Sequence, residues 1–160
     1  MVLRLKSFAK ANVLLKIFLT AFVAAQLILP SAATAAGFKK KKITLGSKTL
    51  VVEVAESPQQ HEQGLMFRDK LGPDEGMLFV FKNEETRFFW MKNTLIDLSI
   101  AYFDKNRTLI DIHEMTSGKG VPDDQLPSYA SVKPAKYALE MSKGWFDKNK
   151  IKIGAKLKIK

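Results

Sequence analysis

Short apolar runs, each bounded by turn-forming residues, are the feature of this sequence that most restricts its fold. Ile43 to Leu45 and Thr49 to Ala55 flank Gly46-Ser47, a spacing typical of a β-hairpin. Met77 to Phe81 and Phe88 to Met91 are apolar at every position, so we expect both to be central strands buried on two faces. The remaining predicted strands are Leu95 to Phe103, Thr108 to Met115, Tyr137 to Met141 and Ala155 to Ile159.

Only two short helices are indicated. Ser57 is a favourable N-cap before Pro58 and Gln60, and Gly64 is placed to end this helix after about two turns. The second candidate covers Lys143 to Asn149. Because long helical periodicity is absent, we predict a mainly β (β-rich α+β) fold. We expect a compact, closed or nearly closed barrel of about seven or eight short strands, with the two short helices packed outside it.

The loop around Lys105-Asn106 decides the register of the strands on either side of it. A two-residue loop would set Asp111 and His113 against an apolar layer, where a carboxylate and an imidazole are costly to bury. A three-residue loop with one residue in the left-handed conformation shifts the register by one position and places Ile110 and Ile112 on that layer instead. We therefore predict the bulged, three-residue loop.

Residues 1–36 have the three-part pattern of a secretory signal peptide. The charged residues before position 37 are all basic, and they precede an apolar run from Ile17 to Leu29. Pro30 and several small residues follow, which predicts cleavage near Ala35 or Ala36. The apolar run is shorter than the about 20 residues that a transmembrane helix needs. We therefore expect an exported protein, periplasmic or extracellular, with no stable membrane span after cleavage; an uncleaved N-terminal anchor is the alternative.

The rest of the chain divides into a basic lead-in with the first strand, residues 37–48, and a single β-rich domain, residues 49–160. Four of the 26 basic residues and none of the 16 acidic residues precede position 37, which leaves an excess of six positive charges. This excess is concentrated in Lys39 to Lys42 and from Lys148 to Lys160. Such runs more often form solvated faces than phosphate sites, and an exported protein rarely meets nucleic acid. We predict a monomer without a nucleic-acid partner.

Several classes of chemistry find little support in the sequence. No cysteine is present, which excludes disulfides, thiol catalysis and thiolate metal sites. His61 and His113 are the only histidines, and neither has a partner at metal-ligand spacing. The methionines after residue 36 lie in apolar runs, so we expect them to pack in the core rather than bind Cu(I). We predict no catalytic residue, no metal and no cofactor.

Four ordered motifs carry a resemblance to a known family. They are Gly64 to Arg68 (GLMFR), Glu75 to Phe81 (EGMLFVF), Phe89 to Thr94 (FWMKNT) and Ala138 to Glu140 (ALE), with Gly144 and Gly154 further on. Over about Thr49 to Ile159 the sequence resembles the bacterial and archaeal family called domain of unknown function 192. The family often has Gly-Asp near its end, whereas this chain has Gly-Ala. The resemblance implies a compact, β-rich, often exported domain, and it supplies no agreed activity or catalytic residues.

Polar residues next to the most aromatic motif form the candidate binding site. Lys92 and Asn93 place a cation and an amide beside Trp90, Asp97 follows, and Arg68 ends an earlier apolar run. Such a rim can hold a small ligand by stacking and directed hydrogen bonds. We expect these five residues to surround one concave end of the domain. The alternative is a structural network in which the two cations pair with Asp97 or Glu140.

The sequence is compatible with three hypotheses about function. We favour an exported domain that binds a small or extended ligand at Arg68, Trp90, Lys92, Asn93 and Asp97 without turning it over. The long segment from Thr116 to Pro134, rich in glycine and proline, would serve such a domain as a lid or binding loop, although a covering loop is equally compatible. The alternatives are a hydrolase that uses Asp97 or His113-Glu114, and an assembly or stability factor of the cell envelope.

Overall fold

A computed structural model describes residues 37–160, which contain nine β-strands and two short α-helices. The predicted signal peptide and its cleavage site lie outside the described residues. The strands are β1 (Lys39–Leu45), β2 (Lys48–Ala55), β3 (Gly76–Glu85), β4 (Phe88–Phe89), β5 (Leu98–Phe103), β6 (Leu109–Met115), β7 (Tyr129–Ala130), β8 (Ala135–Ser142) and β9 (Leu157–Ile159). The helices are α1 (Pro58–Gln63) and α2 (Trp145–Lys148), and a 3-10 helix covers Asp123–Gln125.

Seven of these strands form one curled sheet in the order β6-β5-β8-β3-β2-β1-β9. Neighbouring strands are antiparallel except β2 and β3, which run parallel with Val54 beside Leu78. The sheet curls into a half-barrel, and its two edges meet at one bridge, between Thr108 and Lys156. β4 and β7 form a separate two-stranded sheet. The predicted mainly β, nearly closed fold with two short helices is confirmed.

Two apolar clusters lie on opposite faces of the central strands. The first fills the curled sheet and includes Ile43, Leu50 and Trp145. The second, which includes Phe79 and Tyr102, lies on the outer face of β3, β5 and β8 beneath the connecting segments. Because these three strands contribute to both clusters, they are buried on two faces, as the apolar run in β3 predicted. Burial of one large apolar side chain stabilises the fold by about 1.5–3 kcal/mol.

Four methionines after residue 36 are fully buried, at 0 % exposure: Met77, Met91, Met115 and Met141. They belong to the two apolar clusters, so the prediction that they pack in the core is confirmed. Met66 is partly exposed.

Helix α1 and the first hairpin form as the sequence predicts. Ser57 Oγ accepts a hydrogen bond from Gln60 N, and Gln60 Oε1 accepts one from Ser57 N, each at 3.2 Å, so the two residues form a capping box. The helix ends at Gly64, whose φ of 46° favours glycine. The first hairpin turns at Gly46, with a φ of 59°. None of the helices in residues 37–160 has the length and apolar character that crossing a bilayer requires.

Several predicted boundaries differ from the structure. β1 begins at Lys39, so the lysines expected to lead into the first strand are part of it. β5 begins at Leu98 rather than Leu95, and β9 begins at Leu157 rather than Ala155. Helix α2 is shorter than expected, because Gly144 occupies its N-cap position.

The prediction that Phe88 to Met91 is a central strand is wrong. Only Phe88 and Phe89 pair, as β4, with β7 outside the main sheet. Phe88 is 70 % exposed and Trp90 is 48 % exposed, whereas Met91 is fully buried. Phe89 contacts Phe79 edge-on, with 4.9 Å between ring centroids. The run therefore lies across the outer face of the sheet and alternates between core and surface, which its uniformly apolar composition does not reveal.

The register predicted for the β5–β6 hairpin is also wrong. Arg107 adopts the left-handed conformation, with a φ of 59°, as expected of a residue in this loop. However, the strands pair Tyr102 with Asp111 and Ile100 with His113. The register shifts by one position next to Tyr102, where a bulge has formed. Asp111 and His113 consequently lie on the face that was predicted to exclude them.

Hydrogen bonds offset the cost of placing Asp111 and His113 on this face. His113 Nε2 and Asp111 Oδ2 are 2.8 Å apart, and Val132 N donates to the same carboxylate oxygen at 2.9 Å. Hydrogen-bonded polar groups lose most of the penalty that burial imposes on them. The long connection that contains Val132 thus makes the observed register possible.

Candidate functional site

A buried carboxyl group is the most unusual feature of the outer face of the sheet. Glu140 lies in the middle of β8, between Met77 of β3 and Ile100 of β5, and is 4 % exposed. No hydrogen bond or charge from the described residues shifts its pKa, and burial is the one cause of the shift. Its carboxyl group opens into a cleft at the surface. A side chain of this type is rarely buried without a partner.

Burial raises the pKa of the Glu140 carboxyl group to about 8. The ionised form would lose its hydration without a compensating charge, so the neutral form is favoured. At pH 7 the group therefore carries a proton and can both donate and accept a hydrogen bond. Burial, and then the charge of Glu140, also raise the pKa of the Tyr102 hydroxyl group. That hydroxyl group donates to Tyr129 O at 2.7 Å.

Two chain segments form the walls of the cleft that leads to Glu140. One wall is α1 with the turn after it, residues 61–66, and the other contains the aromatic motif that was predicted to be a strand. The space is narrow, with a cavity volume of about 30 Å³. This is room for about two water molecules. We call it the Glu140 cleft, and it is lined by residues 61–66, Phe79, Phe89, Trp90, Lys92, Thr94 and Glu140.

A wider cavity adjoins the Glu140 cleft and shares four of its lining residues. It has a volume of about 260 Å³ and is lined by Phe81, Thr86, Arg87 and Phe88 in addition to the shared residues. Arg87 Cζ lies 4.0 Å from the ring centroid of Phe81. We call this wider cavity the aromatic groove. Together the two spaces provide a narrow polar end and a broad aromatic end.

His61 lines both the cleft and the aromatic groove. Its Nε2 atom lies 3.0 Å from Ala55 O and 3.1 Å from Val80 O. Because carbonyl oxygens only accept hydrogen bonds, Nε2 carries a hydrogen and Nδ1 is the acceptor in the neutral ring. The ring also packs against Phe81, with 4.6 Å between centroids. These contacts hold the ring against the carbonyl oxygens of β2 and β3.

Two of the five predicted site residues line the Glu140 cleft. Trp90 forms part of its wall, and Lys92 Nζ lies 5.3 Å from the centroid of the Trp90 ring. Lys92 Nζ also pairs with Asp123 of the 3-10 helix at 2.5 Å. This cation is therefore neutralised at the rim of the cleft and does not pair with Glu140.

Arg68 and Asn93 lie outside the lining of the cleft but support its walls. Arg68 donates two hydrogen bonds to the Glu53 carboxylate, at 2.9 and 2.6 Å. Asn93 adopts a left-handed conformation with a φ of 50°, and its carbonyl oxygen accepts a hydrogen bond from Phe67 N at 2.8 Å. This bond joins the segment after α1 to the segment that contains Trp90. The two walls of the cleft are thus tied together by backbone atoms.

Asp97 is held at a different part of the surface. It accepts a hydrogen bond from Ser117 N at 2.7 Å and pairs with Lys143 Nζ at 3.1 Å. These two contacts, the first more than the second, lower the pKa of the Asp97 carboxyl group. The structural network suggested by the sequence, with Arg68 or Lys92 paired to Asp97 or Glu140, is not formed.

His113 and Glu114 point to opposite faces of β6, as neighbours in a strand do. His113 pairs with Asp111, whereas Glu114 accepts hydrogen bonds from Ser99 Oγ at 2.8 Å and from Gly144 N at 3.1 Å. The pair that the hydrolase alternative requires is therefore not assembled. Within residues 37–160, no three His, Asp or Glu side chains are close enough together to hold a metal ion.

The segment from Thr116 to Pro134 covers the outer apolar cluster. Ser117 Oγ donates to Thr94 O at 2.9 Å. A Cβ atom on Gly118 would lie 2.0 Å from Met91 O, so only glycine allows this close approach. Tyr102 and Asp111 bind the segment further along, as described above. The segment is therefore a covering loop. It reaches the rim of the cleft at Asp123, which pairs with Lys92.

Glu140 belongs to one of the motifs that carry the family resemblance, but it is not among the five site residues predicted from the sequence. A signal was nevertheless present, because Glu140 interrupts the apolar run from Tyr137 to Met141. In a strand buried on two faces, a single acidic residue must find a partner, a cavity or a ligand. The sequence does not show which segments surround the carboxyl group.

Comparison with known proteins places the chain in a family. The family model DUF192, described as "Uncharacterized ACR", matches residues 41–159. No curated protein matches the chain. A protein of Sinorhizobium meliloti 1021, described provisionally as a transcription regulator, is similar in structure, with a TM-score of 0.69 and 31 % identity over 77 % of this chain and 95 % of that one.

A second crystal structure, of a protein of unknown function from Novosphingobium aromaticivorans DSM 12444, is similar as well. Its TM-score is 0.68, and it is 29 % identical over 78 % of this chain and 89 % of that one. These two proteins share the fold over nearly their whole length, and the family model covers nearly all of the described residues. The chain belongs to the DUF192 family.

Proposed function

We propose that this domain binds a small or extended ligand in the Glu140 cleft and the aromatic groove. The observation that carries the proposal is Glu140, an acidic residue that is 4 % exposed within β8 and lines the cleft. A buried polar group without a partner costs about 1–3 kcal/mol of stability. A ligand that completes the hydrogen bonds of this group recovers that cost as binding free energy.

The walls of the site suit a planar or apolar ligand body. Trp90 and Phe88 are large aromatic side chains that are 48 % and 70 % exposed. Exposed aromatic rings of this kind provide contact area at small cost in side-chain entropy. Lys92 adds a polar group at the rim. Arg68, Asn93 and Asp97, predicted from the sequence as ligand contacts, enter the proposal as residues that hold the surrounding segments.

We favour binding over turnover because of the chemistry of the lining. The narrow end presents a single carboxyl group, and His61 is committed through Nε2 to two backbone carbonyl oxygens. A general base with a nucleophile within hydrogen-bond reach is the arrangement that hydrolysis requires. The signal-like pattern before residue 37 further supports a place of action outside the cytoplasm.

The proposal is tested by measuring the mass of any small molecule that stays bound to the protein. We expect native mass spectrometry of the protein, purified from its host without denaturation, to reveal a stoichiometric small molecule. Glu140→Gln and Trp90→Ala should lose it, whereas Glu56→Gln, the same substitution at an exposed glutamate that lines neither space, should keep it. A molecule retained equally by all variants would place the binding site elsewhere. Absence of any retained mass, with Trp90 emission unchanged by small-molecule extracts of the host, would refute the proposal.

A further inference from the structure

We propose that the ligand of the Glu140 cleft is a protonated amine: an ammonium group on a short arm enters the cleft, and an apolar or planar body lies in the aromatic groove. The inference rests on the proposed function and specifies the class of ligand.

The dimensions of the two spaces set the shape of the ligand. The cleft has a volume of about 30 Å³, so only a compact group reaches Glu140. The aromatic groove is wider, at about 260 Å³, and shares His61, Phe79, Phe89 and Trp90 with the cleft. A short arm between a small head and a ring-sized body therefore spans the two.

The chemistry of the narrow end selects a cation. Glu140 provides carboxyl oxygens, and the aromatic side chains of Phe79, Phe89 and Trp90 line the cleft beside it. The face of an aromatic ring carries negative potential that attracts positive charge. An anionic head is disfavoured next to the aromatic rings, and above pH 8 the ionised Glu140 carboxylate repels it as well. A neutral hydroxyl group can form a hydrogen bond, but it gains nothing from the carboxylate charge. An ammonium group offers three donors and gains from the carboxylate and from the rings.

Among the residues that the structure describes around the cleft, Glu140 is the ionisable group at the narrow end, and it has no charged partner. Glu62 on α1 is exposed at the rim, and Lys92 is paired with Asp123. His61 is held between two carbonyl oxygens. Tyr102, from β5, stays neutral because burial raises the pKa of its hydroxyl group.

Binding of an amine must therefore release a proton. In the free protein the pKa of Glu140 is about 8, so the carboxyl group is protonated at neutral pH. An ammonium group pairs with the carboxylate, and Glu140 gives its proton to the solvent. Below pH 8 the affinity should rise about tenfold per pH unit, and it should level off above pH 8. A neutral alcohol would bind without proton release.

The experiment compares three probes of the same shape by isothermal titration calorimetry. They are 2-phenylethylamine, 2-phenylethanol and phenylacetate, titrated at pH 6, 7 and 8.5 in two buffers of different ionisation enthalpy. We expect the amine to bind most tightly, to release close to one proton per molecule at pH 6 and 7, and to gain about tenfold in affinity between these two pH values. Phenylacetate should not bind.

Variants distinguish the contribution of the Glu140 carboxyl group to binding from the contributions of the other groups in the cleft. Glu140→Gln should abolish proton release and the pH dependence and should weaken amine binding to the level of the alcohol. Glu56→Gln should behave as the unaltered protein, because it makes the same change in an exposed side chain that lines neither the cleft nor the aromatic groove. A thermal melt of each variant shows that it is folded.

Any of three outcomes would overturn the inference. The alcohol could bind as tightly as the amine without proton release, or amine binding could be unchanged in Glu140→Gln. The first result would leave the proposed function in place with a neutral ligand. A lack of amine binding at every pH would also refute the inference, while the retained-mass experiment decides the proposed function independently.

Discussion

Replacement of Glu140 by glutamine should stabilise the protein increasingly as the pH rises. The pKa of this carboxyl group is about 8 in the folded protein, against an ordinary value of 4.5. Because the folded-state pKa is raised, the stabilising contribution of the bound proton is complete below pH 4.5 and is lost as the pH rises towards 8. Glutamine resembles the protonated acid in size and polarity but does not titrate.

The magnitude follows from the size of the pKa shift. Each pH unit between the two pKa values removes about 1.4 kcal/mol from the free energy of unfolding of the unaltered protein. Between pH 5 and pH 8 the difference in stability between Glu140→Gln and the unaltered protein should therefore grow by about 4 kcal/mol. At pH 4.5 and below, the two proteins should be almost equally stable.

Urea unfolding at pH 5, 6, 7 and 8 measures this difference, with far-ultraviolet circular dichroism as the signal. Glu62→Gln, which makes the same change in an exposed side chain, is the matched control. Parallel curves for Glu140→Gln and the unaltered protein would refute the reasoning. That result would mean that a group beside Glu140 stabilises its ionised form.

Three further predictions concern the surroundings of the site and the N-terminal segment. Arg68→Ala and Glu53→Ala should each lower the free energy of unfolding, measured with urea. Because both substitutions remove the same bidentate pair, the double variant should lose about 1 kcal/mol less than the sum of the two single losses. Additive losses would contradict this prediction. Gly118→Ala should cost about 1–3 kcal/mol because its Cβ atom meets a backbone carbonyl oxygen, whereas Gly37→Ala, which meets nothing within 4 Å, should leave the thermal midpoint unchanged. Protein recovered from a bacterial envelope should begin near Ala36 or Gly37 by intact mass, and a mass that includes the apolar run before Pro30 would exclude cleavage.

Local signals made much of the fold predictable. The capping box at Ser57 and Gln60, the turn at Gly46 and the apolar run of β3 each involve neighbours in sequence. Their energetics depend little on the rest of the chain. The strand-rich class followed from these signals and the lack of long helical periodicity.

Features that depend on distant segments were not predictable in the same way. The Phe88 to Met91 run is as apolar as a central strand, yet its partners are β7 and the outer apolar cluster. The register predicted for β5 and β6 was wrong because burying Asp111 and His113 on the covered face was expected to be costly. Val132, which is distant in sequence, donates a hydrogen bond to Asp111 and lowers that cost.

The candidate site was predictable in part for the same reason. Trp90 and Lys92 lie in a motif whose polar edge is visible in the sequence, and the structure places both at the cleft. Arg68 and Asp97 were grouped with them on pattern alone, and their partners, Glu53 and Lys143, lie elsewhere. Glu140 lines a cleft only because α1 and the aromatic motif, which are distant from it in sequence, form the walls around it.

The parallel pairing of β2 with β3 has a consequence for how this family can diversify. Strands that run in the same direction need a long return connection, and here residues 56–75 make that return across the outer face of the sheet. One wall of the Glu140 cleft is therefore part of a crossover that contributes no strand to the sheet. Substitutions and length changes between Gln59 and Met66 can reshape the cleft while the hydrogen-bonded ladder beneath it stays intact. The shape of the cleft can thus change independently of the scaffold that keeps Glu140 in place.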